Sequence, residues 1–359
     1  MRNLIFEDLF VLELANNHWG DFYRGIKIIK DFAQVVKKNN VKAAIKFQFR
    51  DVNNFIHNDF KHNSGIRYVD KTLNTQISWD EMSQMLTEVK RQGILTMATP
   101  FDEYSVNKCE HLNLDLVKIA SSDAKDKKLI DKISNLNIPT IVSSGGCSEI
   151  DLDWIYEHFN NKNVALAINH CVSLYPSEDH QLELNQIDYL KSRYKDITIG
   201  FSTHEYTSWD YSIMIAYAKG ARTFERHIDI DYQNVPVSKY CSLPEQADEW
   251  FKAFNKVKEL CGSSPNKRRK IGNDEKVYLD TLVRGVFLKN NIKAYKQIDF
   301  KDIYFSIPKL EGQISCQEFK EGLIALEDMK SNAPLLQDNV SSFVTKKNTE
   351  NKFNKIINH

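Results

Sequence analysis

The chain has 359 residues, of which 42% are hydrophobic and 27% charged, with 48 basic and 48 acidic side chains. This composition is typical of a globular protein with a large core, and the balanced charge excludes a dominant long-range basic field for nucleic acid. The apolar runs are far shorter than the ~20 residues that a membrane helix needs. The N-terminus lacks a signal-peptide pattern, and the 6 cysteines form no CxxC pair. We therefore expect a cytoplasmic protein with no membrane or nucleic-acid partner.

Short apolar, β-branched runs alternate with helical segments along the first 260 or so residues. The runs predicted as strands are 9–16, 43–49, 95–100, 116–122, 140–145, 164–171, 197–204 and 222–229. Between them, 21–39 and 78–93 have helical periodicity, and Ser78 with Glu81 has the spacing of a capping box. Strands that are nearly all apolar and separated by helices are typical of parallel strands covered on both sides. Eight such units predict an α/β fold, a TIM (β/α)8 barrel.

A doubly wound open sheet is the competing architecture. It is less favoured because polar residues follow nearly all the predicted strands, whereas an open sheet concentrates them at one switch point.

The composition changes at 263–276, a polar, basic segment punctuated by Pro and Gly. This pattern predicts a linker, so the barrel is expected at 1–262. A small second domain is expected at 277–340, with short strand-like runs and no long periodic helix. The remaining residues, 341–359, are predicted to form a polar tail.

Inward lysines suggest an anion site. Lys46 and Gln48 alternate with apolar neighbours and so point to one side of their strand, and Lys118 lies two predicted strands later. Catalytic groups of TIM barrels lie at the C-terminal ends of the strands, where serines could complete a phosphate or carboxylate cradle. A structural Lys–Glu pair is the simpler interpretation of each lysine alone, and Glu13 and Glu225 are available near the same ends.

His204 and His227 end the seventh and eighth predicted strands, so their imidazoles could converge. Two histidine ligands leave open positions that suit a catalytic ion with water and substrate oxygens. Two buried structural histidines explain the spacing equally well.

Eight motifs, taken in order, resemble the sialic acid (N-acetylneuraminate) synthases, which condense phosphoenolpyruvate (PEP) with sugars and include pseudaminic and legionaminic acid synthases. The motifs are ELANNHWGD (13–21), KFQ (46–48), TPFD (99–102), KIASSD (118–123), SSGG (143–146), HCVSLYP (170–176), GFSTH (200–204) and FERHID (224–229). Their order and spacing are far more specific than any one motif. Residues 284–308 loosely match the family's small C-terminal antifreeze-like (SAF) domain.

The resemblance implies a transferase that condenses PEP with an aldose to give a nonulosonic acid and phosphate. It implies a divalent metal, most often manganese, at His204 and His227. The residues implied around PEP are Lys46, Thr99, Lys118, Ser121, Ser143, Ser173 and Ser202. Those implied near the sugar are Gln48, Asp123 and Tyr175, and the candidate catalytic residues are Glu13, Lys118 and Glu225. The family also implies a domain-swapped homodimer in which the C-terminal domain caps a partner's barrel.

The sugar side departs from the family pattern. No Asp lies between Tyr232 and Glu245, where relatives carry one that contacts the sugar, Ser122 replaces a Gly, and Ile307 replaces the Arg of a C-terminal turn. A site that lacks these partners is expected to accept a different sugar.

Tyr240, Lys239 and Lys309 are the candidates for substitute sugar contacts. Two other functions stay open on the residues alone. One is a Schiff-base lyase with Lys118 as nucleophile, and the other is a degenerate, non-catalytic sugar-binding barrel.

Overall fold

The computed structural model of the chain describes residues 2–62, 64–262 and 266–341. The chain divides into two compact units between Gly262 and Ser263. Within the described ranges, no helix has both the length and the apolar character to cross a membrane.

The first unit is a closed barrel of eight parallel strands in sequence order, and pairing of β1 with both β2 and β8 closes it. The strands are β1 Leu9–Ala15, β2 Lys42–Phe49, β3 Leu95–Pro100, β4 Leu116–Ile119, β5 Thr140–Ser143, β6 Leu166–Cys171, β7 Thr198–Ser202 and β8 Thr223–Ile228, with a short β9 Cys241–Ser242 added beside β8. The barrel and all eight strand predictions are confirmed. The open sheet is wrong, because the β1–β8 pairing joins its two edges.

Helices surround the barrel. They are α1 Phe22–Asn39, α2 Val52–Phe55, α3 Arg67–Asn74, α4 Trp79–Arg91, α5 Glu103–His111, α6 Lys127–Ser134, α7 Glu149–Asn161, α8 Asn185–Arg193, α9 Trp209–Lys219 and α10 Pro244–Cys261, with 3-10 turns at Arg2–Phe6, Asn58–Phe60 and Asp179–Gln181. The predicted capping box is confirmed, since Ser78 and Glu81 cap each other's backbone groups at the start of α4. The long connection between β2 and α4, which holds α2 and α3, was not predicted.

The side chains inside the barrel change from apolar to ionisable along the barrel axis. Its N-terminal half is apolar, with Val11, Met97 and Ile141 in one buried cluster, and Phe6 from the first 3-10 turn joins this cluster. The inward positions nearer the C-terminal ends of the strands carry ionisable side chains instead, as at Glu13. The strand pattern therefore places the chemistry at the C-terminal mouth of the barrel.

A larger core lies between the strands and the helices. Phe10 of β1 packs edge-on against Trp250, Phe251 and Phe254 of α10, with ring centroids 4.7 to 4.9 Å apart. These edge-to-face contacts fix the last helix of the barrel against its first strand.

A buried ion pair joins the loops that follow β1 and β8. Arg24 of α1 lies 2.6 Å from Asp229 through its Nη2 atom, and both side chains are 1% exposed. Arg24 also donates hydrogen bonds to the backbone carbonyls of Asn17, Ile230 and Tyr232 at 2.7 to 2.9 Å. The guanidinium therefore ties both loops to the start of α1.

The second unit has its own apolar core, built on Val286, Leu288, Ile298, Ile303 and Leu335 among others. Its elements are α11 Asn273–Asp280, β10 Gly285–Leu288, β11 Gln297–Ile298, β12 Ile303–Ser306, β13 Leu323–Ala325 and β14 Val340–Ser341, with 3-10 turns at Phe300–Asp302 and Gln337–Asn339. Antiparallel pairs join β10 to β12 and β13 to both β11 and β14.

The predicted linker at 263–276 needs correction, because α11 begins at Asn273 inside it. Apart from Ser341 in β14, the predicted polar tail lies outside the described residues.

The Arg24 pair provides a test of the fold. Replacing Arg24 with Met leaves the Asp229 carboxylate buried without its partner, which should lower the free energy of unfolding by about 3–5 kcal/mol. Lys27→Met is the matched control, because the Lys27–Asp31 pair on the same helix is far more exposed and should change that energy by less than about 1 kcal/mol. Equal losses in urea denaturation would contradict the assignment.

Candidate active site

Four charged side chains form one network at the barrel mouth. The ammonium of Lys46 lies 2.9 Å from Glu13 and 3.1 Å from Glu225, and that of Lys118 lies 2.5 Å from the other oxygen of Glu225. Each of the four residues is at most 6% exposed. We call Glu13, Lys46, Lys118 and Glu225 the ionic network. Its two positive and two negative charges balance. Each lysine therefore has a glutamate partner, as expected if the lysines form structural Lys–Glu pairs.

Strand register brings these groups together. Glu13 on β1 lies opposite Lys46 on β2 and opposite His227 on β8. Side chains at paired positions of parallel strands lie on the same face, so closure of the barrel places residues more than 200 positions apart side by side.

The pKa values follow from burial and pairing. Burial raises the pKa of Glu13, and Lys46 only partly opposes this. Burial alone would raise the pKa of Glu225 too, but Lys118 and Lys46 hold it at about 2. Burial lowers the pKa of Lys118 despite the charge of Glu225. The network thus contains a firmly ionised carboxylate at Glu225 and, at Glu13, a carboxyl that accepts a proton more readily than usual.

Hydroxyl groups surround the lysines. Thr99 is buried, and its Oγ1 accepts a hydrogen bond from Lys46 at 3.3 Å. Ser202, at the end of β7, lies opposite Glu225 in the strand register. Ser143, at the end of β5, is also buried.

Two further serines converge on a glycine. A Cβ added at Gly145 would overlap the hydroxyl oxygens of both Ser121 and Ser173. The absence of a side chain at position 145 therefore keeps open the space in which these two hydroxyls meet.

The two histidines predicted as metal ligands lie together, with ring centroids 5.5 Å apart. The Nδ1 atom of His204 is 3.1 Å from the carbonyl oxygen of Val172. A carbonyl only accepts hydrogen bonds, so Nδ1 carries the proton and Nε2 keeps its lone pair. Burial lowers the pKa of His204 to about 4 and that of His227 well below its ordinary value. Both imidazoles are therefore neutral near pH 7.

Neutral imidazoles with free lone pairs fit a divalent metal ion. Over the described residues, no group of three or more His, Cys, Asp or Glu side chains is arranged to hold a metal. A metal bound at His204 and His227 would thus take its remaining ligands from water or from substrate oxygens.

Two tyrosines lie beside the histidines. The ring of Tyr175 is 3.8 Å from that of His204 and 5.8 Å from that of His227, between centroids. Tyr240 is 5.1 Å from His227 and 5.4 Å from Tyr175. Tyr240, a candidate substitute contact, therefore lies at the site together with Tyr175.

The other two substitute candidates have different surroundings. Lys309 forms an ion pair at 3.0 Å with Asp280 of its own unit. Lys239 lies over the ring of Tyr206 at 5.7 Å.

Gln48 and Asp123, which were predicted near the sugar, have different surroundings. Gln48 donates a hydrogen bond from Nε2 to Glu13 at 2.8 Å, which extends the ionic network outward. Asp123 follows β4 and is half-buried, and burial raises its pKa to about 6.

Sequence reasoning missed Arg50. Its Nη1 atom donates to Oε1 of Gln48 at 2.8 Å. Lys46, Gln48 and Arg50 follow one another at every second position, so the alternation that identified the first two could have identified the third.

Comparison with known proteins identifies the family. The NeuB family model matches residues 35–266, more than half of the chain. The chain belongs to the NeuB family. It is 28% identical over 244 residues to the N-acetylneuraminate-9-phosphate synthase of Drosophila melanogaster, covering 66% of this chain and 64% of that one, which is less than two thirds of the relative's length. It is 27% identical over 304 residues to a pseudaminic acid synthase of Campylobacter jejuni, covering 82% of each chain.

Solved structures share the fold of this chain. A Chromobacterium violaceum protein assigned to spore coat polysaccharide biosynthesis is 29% identical and superposes with a TM-score of 0.90, covering 93% of this chain and 100% of that one. The sialic acid synthetase of Leptospira borgpetersenii shares the fold at 23% identity, with a TM-score of 0.66. The family model confirms the resemblance drawn from the motifs, and the Drosophila and Campylobacter relatives are named as synthases, which supports an enzyme.

The ionic network makes a stability prediction with a pH dependence. Glu225→Gln leaves two buried ammonium groups with one carboxylate, so the free energy of unfolding should fall by about 3–5 kcal/mol at neutral pH. The folded pKa of Glu225 is about 2, below its ordinary 4.5. The unfolded chain therefore binds more protons in that interval, and the difference between wild type and variant should be full above about pH 4.5 and disappear toward pH 2.

Denaturant titrations at several pH values measure this difference. The matched control is Asp31→Asn, which removes a carboxylate from a partly exposed pair. In a double-mutant cycle, adding Lys118→Met to Glu225→Gln should cost less than the sum of the single changes. Additive losses would show that the two side chains do not interact.

Proposed function

We propose that this chain condenses PEP with the open-chain form of an amino sugar to give a nonulosonic acid and phosphate. The observation that carries the proposal is the pair of buried lysines at the mouth of a NeuB-family barrel, surrounded by hydroxyl groups and beside two neutral histidines. The names of the relatives support a sugar-acid product.

The lysines would bind PEP. Lys46 and Lys118 supply two positive charges within a site that water reaches poorly, where their attraction to carboxylate and phosphate is strong. Ser121, Ser173 and the backbone around Gly145 would complete the cradle for the same anionic groups. PEP would then compete with Glu13 and Glu225 for the ammonium groups.

The reaction forms one C–C bond and breaks one C–O bond. The C3 atom of PEP forms a bond to the aldehyde carbon of the sugar, and the aldehyde oxygen takes up a proton to become a hydroxyl. Water adds to C2, the bond between C2 and the phosphate oxygen breaks, and C2 becomes the ketone, so that one proton of the water replaces the proton taken up by the hydroxyl and the other leaves with phosphate. Glu13 would orient this water and take its proton, because burial raises the pKa of that carboxyl and makes it a better base. Lys118 would stabilise the leaving phosphate.

His204 and His227 would hold a divalent metal, with manganese as the proposed ion. When bound, such an ion supplies Lewis-acid polarisation of the aldehyde oxygen. Tyr175, Gln48 and Asp123 would contact the sugar.

The proposal includes an assembly. The second unit would be the antifreeze-like domain, and it would cap the barrel mouth of a partner in a homodimer, which would keep bulk water from the reacting groups. The match to the Chromobacterium violaceum structure covers 93% of this chain and so extends into the second unit, which supports a shared fold there and leaves the assembly as a proposal.

The proposal is tested by phosphate release from PEP in the presence of hexosamine acceptors and manganese. PEP labelled with ¹⁸O in the C2–O–P bridge should deliver its label to phosphate, because the C–O bond breaks. His204→Ala and His227→Ala should bind manganese at least ten times more weakly in calorimetry, since each removes one of two protein ligands. Full turnover after EDTA treatment would contradict the metal assignment.

The Schiff-base alternative is tested in the same preparation, since the lowered pKa of Lys118 also suits a nucleophilic lysine. Borohydride treatment with pyruvate should leave the mass of the chain unchanged. A reduced adduct at Lys118 would favour the lyase instead.

Gly145→Ala tests the serine cradle. The added methyl displaces the Ser121 and Ser173 hydroxyls, so the KM for PEP should rise up to about tenfold, the equivalent of one or two lost hydrogen bonds, while the KM for the sugar changes little. Gly272→Ala is the matched control, because a Cβ there meets no atom within 4 Å. A larger effect on the sugar than on PEP would remove these serines from the PEP site.

A further inference from the structure

Arg50 is buried in an unusual setting just beyond β2. It is 8% exposed, and its guanidinium carbon lies 3.7 Å from the ring centroid of Phe101. The guanidinium donates from Nη1 to the amide oxygen of Gln48 and from Nη2 to the hydroxyl of Tyr68, both at 2.8 Å. Both of these partners are neutral.

A comparison within the chain shows what Arg50 lacks. The buried lysine and arginine side chains of the described residues are Arg24, Lys46, Arg50, Lys118 and Arg226. Four of them have a carboxylate oxygen at 2.5 to 2.9 Å. In the described part of the chain, Arg50 has no carboxylate within 4 Å, and its Nε atom has no hydrogen-bond partner. A buried cation without an anion is costly, so proteins normally pair it.

Two other arginines of this chain show how the Nε and Nη2 atoms of Arg50 could bind an anion. Arg91 holds Glu88, and Arg193 holds Asp153, through the same two atoms, Nε and Nη2. In Arg50 the Nε atom is unpaired and Nη2 bonds to Tyr68, a residue that is 57% exposed. An anion that displaced the tyrosine hydroxyl would gain the planar two-point contact for which arginine is suited.

Arg50 and Gln48 also line a cavity of about 400 Å³. This volume is within the range of small-molecule sites. The charged neighbour Asp51 already accepts a hydrogen bond from Asn54 at 2.6 Å. His18, another lining residue, is neutral because burial lowers its pKa to about 4. The rest of the wall combines polar side chains, such as Asn16 and Gln76, with apolar ones, such as Trp79 and Met82.

We propose that the acceptor sugar extends past Gln48 into this cavity and that Arg50 binds an anionic group on it there, a phosphate or a carboxylate. The inference rests on the proposed function and specifies its substrate class. The anion gives the buried guanidinium a charge partner in direct contact, whereas the carboxylates of Glu13, Asp102 and Asp123 act on it only from a distance. Gln48 connects this cavity to the ionic network through its bond to Glu13.

The test measures phosphate release by the full chain with saturating PEP and manganese. Two acceptors are neutral, N-acetylmannosamine and a diacetamido-trideoxyhexose, and two are anionic, the 6-phosphate and the 6-carboxylate of N-acetylmannosamine. We expect kcat/KM for one anionic acceptor to exceed both neutral values by roughly 10- to 100-fold, as for a hydrogen-bonded charge. The comparison of phosphate with carboxylate identifies which anion is bound.

Substitutions then assign the preference to Arg50. Arg50→Met should bring the ratio of anionic to neutral kcat/KM toward one, and Arg50→Lys should retain part of it, since lysine keeps the charge without the planar geometry. A general folding defect lowers both values and leaves their ratio unchanged. Arg67→Met, which removes an exposed cation from α3, is the matched control and should preserve the ratio.

The outcomes separate the two proposals. Two outcomes would overturn this inference and leave the proposed function standing. One is a higher kcat/KM for a neutral acceptor than for both anionic acceptors. The other is an equal fall in the ratio of anionic to neutral kcat/KM for Arg67→Met and Arg50→Met. No phosphate release with any of the acceptors would overturn the proposed function, and this inference with it.

Discussion

The site depends on one electrostatic constraint, the burial of two ammonium groups inside the barrel. Lys46 and Lys118 can stay charged there because Glu225 lies between them and Glu13 lies beside the first. The attraction of these carboxylates offsets the cost of removing both cations from water. The same pairing holds the lysines in fixed positions, so the proposed anionic substrate would meet charges that are already oriented and need little rearrangement.

This network exists only because the barrel closes in one register. A shift of one residue between β1 and its neighbours would turn Glu13 away from Lys46 and His227. Two contacts outside the network hold that register. Phe10 packs against three aromatic rings of α10, and Arg24 ties the loops after β1 and β8 together through Asp229. The contacts of Phe10 and Arg24 outside the site therefore help to fix the geometry of the ionic network at the barrel mouth.

The repeating pattern of strands and helices could be predicted from the sequence, whereas two short helices and the contacts between distant strands could not. All eight strands follow from apolar runs, and motif order places the site residues at their ends. The helices α11 and α3 have only eight residues each, α11 has no buried residue and α3 buries only Thr72, so neither has the long periodic pattern that identified α1 and α4. Lys–Glu pairing needs distances between strands that are far apart in sequence. The alternation at Arg50 is visible in the sequence, but its lack of a carboxylate partner is a property of the folded chain.

The two halves of the site come from different kinds of structure. The proposed PEP side is built from strand ends, whereas the proposed acceptor side uses the long connection that carries Tyr68. The amide of Gln48 joins them, and it has only one orientation, because Arg50 can only donate and an ionised Glu13 can only accept. If the proposed acceptor side is correct, changes in the connection would alter which acceptor binds without moving the lysines. A change at Gln48 itself would disturb both halves together, since its amide is the shared contact.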